Sequence, residues 1–168
     1  MEIPIPKEYR GMRREIMRPE DAASAVLLRF WDCSLPVNPV AIAEKLDIKV
    51  FMSDDMTTLG GYYDQESGEI TINAKDTLPR QRFSVAHELG HCLLGHGSSP
   101  RDNNAHYNQT NYSPQEYQAN VFAAELLMPR DAMRVMVEHR AMGLAELCGT
   151  FGVSEAAMTI RLRSLGYI

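Results

Sequence analysis

Residues 82–97 read RFSVAHELGHCLLGHG, and this segment decides how the rest of the 168-residue chain is read. Phe83, Ala86, Leu89, Gly90 and Leu93 recur at helical spacing and predict one buried stripe, ended by Gly95 or Gly97. Within the helix lies His87-Glu88-Leu89-Gly90-His91, an HExxH pattern. Positions i and i+4 share a helix face, so both imidazoles can reach one ion. Zinc takes nitrogen donors at about 2 Å, and a rigid helix with this spacing offers two. Glu88, adjacent in sequence, need not be a ligand and can instead serve as a base, taking a proton from water whose pKa the ion has lowered.

A catalytic zinc site needs a third protein ligand. His96, His106, Glu116, Asp102 and His139 are the candidates. An HExxHxxGxxH arrangement fails, because position 97 is Gly and position 94 is Leu. On a continuing helix His96 would point about 140° round from His91, which suits a helix-end group or a residue behind the ligands. Glu116 is better placed by pattern. Ser113-Pro114-Gln115-Glu116 reads as an N-cap, a proline in the first turn and a glutamate at the third position. A helix opening there runs to Met128-Pro129 and can lie alongside the first. As a capping-box residue Glu116 would turn back to the N-cap; as a ligand it would point away. Asn120, one turn on, shares the face of Glu116 and can hydrogen-bond a ligand. His106, Tyr107 and Tyr112, in the polar loop 98–112, are candidate donors to an oxyanion.

Upstream, Pro19, followed by Glu20 and Asp21, starts a helix reaching about Trp31, and Asn38-Pro39 opens a short one to about Leu46. Lys49 to Met52, Thr58 to Tyr63 and Glu69 to Asn73 read as strands, the last two joined by a hairpin-length loop. Glu69–Asn73 is a candidate edge strand to which an extended peptide could add. A helix is expected from about Asp131 to His139, and Met128, Met133 and Met136 read as core filling. Residues 144–166, LAELCGTFGVSEAAMTIRLRSLG, read as helix, glycine turn and Ser154-capped helix, similar to a helix-turn-helix.

These elements make an α+β chain: a small antiparallel or mixed sheet packed on helices, a minimal zincin-like core over residues 1–140, and a helical appendage over 141–168 packed on it. Seventeen basic against 22 acidic residues, a net charge of −5, argue against non-specific electrostatic binding of nucleic acid. Arg161 and Arg163 alone are too few for a DNA-binding helix. Three cysteines without CxxC spacing point to neither a disulfide framework nor a thiolate cage. No signal-like or membrane-length apolar run appears, so the expected setting is cytoplasmic, without a membrane partner.

HELGHCLLGH followed by EYQANVFAAELLMP resembles the ImmA/IrrE family of zinc metallopeptidases, and the likeness extends over roughly residues 38–165. The resemblance implies that His87, His91 and Glu116 hold one Zn²⁺ and that Glu88 is the general base. Ala119, Asn120, Phe122, Ala123, Leu126, Leu127, Met128 and Pro129 match the rest of the second motif. Gly95 before His96 departs from the spacing common among relatives. Mn²⁺ and Fe²⁺ can use the same His₂Glu donors. The resemblance further implies a helix-turn-helix (Xre-like) repressor or antitoxin as substrate or partner, often in phage, mobile-element or stress-response settings. The competing reading is a zinc-bearing toxin or regulatory protein that acts by binding that partner.

Overall fold

The computed structural model describes residues 17–57, 59–102 and 113–168. Helix α1 (Pro19–Phe30) has proline in its first turn and Glu20 and Asp21 where the helix dipole favours acids. Helix α2 (Pro39–Lys45) is capped by Asn38, whose side chain accepts from the Val40 and Ala41 amides. Strands β1 (Lys49–Ser53), β2 (Leu59–Asp64) and β3 (Glu69–Asn73) follow, then α3 (Leu78–Leu94) and β4 (Ser99–Asp102). The chain ends in α4 (Pro114–Leu127), α5 (Arg130–Arg134), a π-helical turn at Val135–His139, α6 (Leu144–Phe151) and α7 (Glu155–Ser164).

The four strands are ordered β1-β3-β2-β4. β1 runs parallel to β3, while β2 is antiparallel to both β3 and β4, so the sheet is mixed. Glu69–Asn73 is therefore not an edge strand: β3 lies between β1 and β2. Its alternation explains why. Ile70 and Ile72 are fully buried against the helices, whereas β1 exposes Phe51 and Met52. The strand whose alternate isoleucines both face the helices lies centrally, and the strand that leaves apolar side chains in solvent lies at the rim.

Helix α3 packs on β2 and β3 and most extensively on α4, and α1 packs on α4 and, to a lesser extent, on α3. Phe122, Leu126 and Leu127 are completely buried there, each contributing about 1.5–3 kcal/mol by leaving water. The architecture is a minimal zincin-like α+β fold with C-terminal helices. α3 begins at Leu78, earlier than its apolar stripe suggests, because Pro79 sets its first turn. The stripe itself is too narrow a picture. Residues 84–91 are all buried, sandwiched between the sheet and α4, while Leu93 is exposed.

The C-terminal helices are tied to this core by two arginines. Arg82, on α3, donates to the Val37 carbonyl at 2.6 Å and to the Gly152 carbonyl at 3.0 Å. Arg161, on α7, is buried and ion-paired with Glu125 of α4, and donates to the Met128 carbonyl. Ser154 caps α7, accepting from the Ala157 amide at 3.2 Å. Among the described residues no helix is long and apolar enough to cross a membrane.

Candidate metal centre

Two helices build the site. α3 carries His87, Glu88 and His91 on one turn, and all three are buried to 1% exposure or less. α4 carries Glu116 near its start and Asn120 one turn later. The helices approach closely because α3 has Gly90 at the crossing. A Cβ there would stand 3.1 Å from the Ala119 Cα and 3.2 Å from Phe122, contacts that only glycine avoids. From the other side β2 approaches Glu88 through Gly61, where a Cβ would lie 3.1 Å from Glu88 Oε1.

The ligand-type atoms of His87, His91 and Glu116 all lie within 4.8 Å of one another. His87 Nε2 is 3.1 Å from Glu116 Oε2, His91 Nε2 is 3.0 Å from Glu116 Oε1, and the two Nε2 atoms are 3.0 Å apart. Ser113 caps α4 through the Glu116 amide at 3.4 Å, which leaves the Glu116 carboxylate facing the imidazoles. Capping and the inward-facing carboxylate thus coexist, because the cap uses the backbone of Glu116 and the cluster uses its side chain. Burial pushes the Glu116 carboxyl up, but hydrogen bonding to His87 and His91 outweighs this and holds it well below the usual carboxylate range.

The chemistry of this donor set fits a divalent ion. His87 Nδ1–H donates to Asn120 Oδ1 at 3.0 Å, which keeps a proton on Nδ1 and turns Nε2, the nitrogen a metal ion would take, into the cluster. Two imidazole nitrogens and a carboxylate at about 3 Å from one another suit tetrahedral coordination, in which ligand atoms about 2 Å from the ion stand about 3.3 Å apart. His₂Glu is also a donor set that borderline metals such as zinc accept.

His96 does not project from a continuing helix. Gly95 adopts φ 71°, and the His96 amide donates back to the His91 carbonyl at 3.0 Å, a left-handed helix ending. The turn brings the His96 ring to His91, with the two Nδ1 atoms 3.2 Å apart. On its far side His96 Nε2–H donates to Gln118 Oε1 at 2.9 Å. Burial lowers the His96 pKa below the ordinary imidazole value, with the Gln118 hydrogen bond opposing it. Gln118 was not singled out from the sequence; the available signal was its place between Glu116 and Asn120 on one helix. Gly61 was missed as well, because its use depends on a strand packing over a helix far along the chain.

His106, Tyr107 and Tyr112 lie outside the described residues. Asp102 falls in β4, where its backbone alone is described, and His139 ends the exposed π-helical turn and does not belong to the His87, His91, Glu116 cluster. Arg161 is committed to Glu125 and Met128, so one of the two arginines of the helix-turn-helix-like tail is withdrawn from any surface.

Residues 43–163 match the family model of the IrrE N-terminal-like domain. Over 102 residues the chain is 35% identical to the radiation response metalloprotease IrrE of Deinococcus radiodurans, covering 58% of this chain and 31% of that protein. It is 33% identical over 97 residues to the uncharacterized immunity region protein 2 of Bacillus phage phi105, covering 55% of this chain and 59% of that protein. The chain therefore spans less than two thirds of the length of either relative. Among solved structures a Mycobacterium tuberculosis transcriptional regulator shares the fold, with a TM-score of 0.63 at 15% identity over 86% of this chain and 46% of that one. The His87, His91 and Glu116 cluster, with Glu88 beside it on the helix, resembles the active site of an HExxH zinc protease.

Proposed function

The chain belongs to the family of the IrrE N-terminal-like domain, and from that membership we propose that it is a zinc-dependent endopeptidase acting on a helix-turn-helix repressor or antitoxin. The observation that carries the reading is the convergence of His87, His91 and Glu116 donor atoms within 4.8 Å on two tightly packed helices, with a buried glutamate adjacent in sequence.

In this reading His87, His91 and Glu116 hold Zn²⁺, and Asn120 keeps the His87 ring in the ligating orientation. The ion, when bound, supplies Lewis acidity that lowers the pKa of water and polarises a peptide carbonyl. Glu88 does the proton work. Its carboxylate takes a proton from the attacking water and passes it to the departing amine nitrogen. Glu88 is buried between sheet and helices, so its carboxylate exchanges that proton away from bulk water. Residues 1–140 carry this chemistry, and 141–168 brace it.

A regulatory protein is the proposed target because the matched relatives are named as a radiation response metalloprotease and a phage immunity region protein. The chain's own surface argues against DNA as its direct ligand. Net charge is −5, and Arg161 is buried in an ion pair, so the tail lacks the phosphate contacts that duplex binding needs. Three free cysteines suit a reducing, cytoplasmic setting.

The test is incubation of the zinc-loaded chain with a helix-turn-helix protein encoded beside it, read by intact mass. Cleavage at one bond is expected, and Glu88→Gln should slow it by about 10²–10⁴-fold while zinc stays bound. If Glu88→Gln inactivates the partner as well as wild type does, the chain acts by binding and the peptidase reading fails.

A further inference from the structure

We propose that Gln118, acting through His96, fixes which nitrogen of His91 carries the ring proton, so that the Nε2 lone pair of His91 is the one offered to the cluster. The inference rests on the metal-centre reading above and assigns Gln118 and His96 as positioning residues, not ligands.

Hydrogen-bond polarity runs in one direction through the chain of contacts. Gln118 Oε1 can only accept, and it lies 2.9 Å from His96 Nε2, so that nitrogen carries the proton. A neutral imidazole has a single N–H, which makes His96 Nδ1 an acceptor. The Nδ1 atom of His91 is 3.2 Å away, and the proton between the two rings must then belong to His91. With its proton on Nδ1, the neutral His91 ring that a metal ion would select offers the lone pair at Nε2, the atom 3.0 Å from Glu116 Oε1 and 3.0 Å from His87 Nε2. The reverse polarity, with the proton on His96 Nδ1, would put a proton on His91 Nε2 and remove a ligand.

Local structure explains how the contacts are held. Gly95 in its left-handed conformation turns the chain so that His96 folds back on His91; a residue with a Cβ would resist that turn. α4 supplies the terminal acceptor. It also supplies Asn120, which does for His87 directly, at 3.0 Å, what Gln118 does for His91 at one remove. One helix therefore sets both histidine tautomers and presents Glu116, so the three donors are prepared together or not at all. Tautomer control by such outer hydrogen bonds commonly changes metal affinity by 10–100-fold.

The polarity is readable without any metal. In metal-free protein with ¹⁵N-labelled histidine rings, long-range ¹H–¹⁵N spectra should show a proton on His91 Nδ1, and on His96 a protonated Nε2 with a bare Nδ1. A bare His91 Nδ1, or a proton on His96 Nδ1, overturns the proposal. Zinc affinity measured by chelator competition supplies the coupling. Gln118→Leu should weaken binding about 10–100-fold. His96→Asn, whose amide oxygen can take the place of the ring Nδ1, should bind close to wild type, while His96→Leu should not. In the His96→Asn background Gln118→Leu should have no further effect, since the relay no longer passes through it. Equal loss from Gln118→Leu in both backgrounds, with unchanged far-UV circular dichroism, overturns the relay. If wild type binds no zinc yet shows the expected tautomers, the relay stands and the reading of the cluster as a metal centre falls.

Discussion

Two pairs of helices in this molecule bury charged and polar side chains between them, and they do so in opposite ways. Between α7 and the end of α4, Arg161 meets Glu125 and the Met128 carbonyl, and Glu125 also accepts from the Arg130 amide at 3.0 Å. Donors face acceptors and the charges cancel. Between α3 and α4, two imidazole nitrogens and a carboxylate face one another at 3.0–3.1 Å. There three metal-ligand-type atoms converge on one point, which suits a cation. Paired charges make a brace, and converging donor atoms make a cluster able to hold a divalent ion. Both rest on α4, one at each end.

The difference can be broken first through stability. Arg161→Met leaves Glu125 as a buried charge without its ion-pair partner and should cost about 3–5 kcal/mol in unfolding free energy, read by denaturant titration. Adding Glu125→Leu should recover much of that loss, because the pair is then removed together. Zinc affinity of whatever fraction folds should be unchanged. A drop in affinity as large as the drop in stability would show that brace and site are one cooperative unit.

The metal side carries the next largest effect. If the cluster binds zinc, saturation at about 1,000 times the dissociation constant should stabilise the fold by about 4 kcal/mol, raising the melting temperature; a chelator should reverse the gain. Glu116→Gln keeps the shape and removes the charge, so metal-free stability should fall modestly, as the carboxylate–imidazole bonds weaken, while the zinc-dependent gain is largely lost. Gly90→Ala lies between these cases. Its methyl group would press on the Ala119 backbone at 3.1 Å, costing about 1–3 kcal/mol and also spreading the helices that bring Glu116 to the histidines. Loss of stability without loss of zinc affinity would separate helix packing from site assembly.

What could be read in advance follows from how local each determinant is. Helix starts at Pro19, Asn38, Ser113 and Ser154 are legible because caps and prolines act within one turn. The HExxH spacing names two imidazoles for the same reason. The central place of β3 is different, since it depends on β1 pairing beside it, a choice made between strands far apart in sequence. β4 sat unseen in a polar loop, since its four residues carry no strand pattern of their own and owe their shape to β2. Burial of eight consecutive residues on α3 was also hidden, because an amphipathic pattern assumes one wet face and this helix is covered on both. The partners of Arg161 and His96 were illegible for a similar reason: each lies on another helix, 36 and 22 positions away.

The smallest effect separates the two regions most cleanly, because the same substitution can be made in both. Ser154 caps α7 through the Ala157 amide at 3.2 Å, and Ser113 caps α4 through the Glu116 amide at 3.4 Å. Replacing either with alanine should cost about 1 kcal/mol, and the longer contact at Ser113 should place its cost at the low end. Metal affinity should divide them. Ala157 bears no group of the cluster, so Ser154→Ala should leave zinc binding at the wild-type value. Glu116 is both the residue whose amide Ser113 holds and the residue whose carboxylate faces His87 and His91. Freeing that amide lets the first turn of α4 fray, and the carboxylate frays with it. Ser113→Ala should therefore weaken zinc binding several-fold while lowering stability less than Ser154→Ala does. Equal effects on zinc from both serines would mean that the cap holds the helix as a whole and not the ligand it begins with.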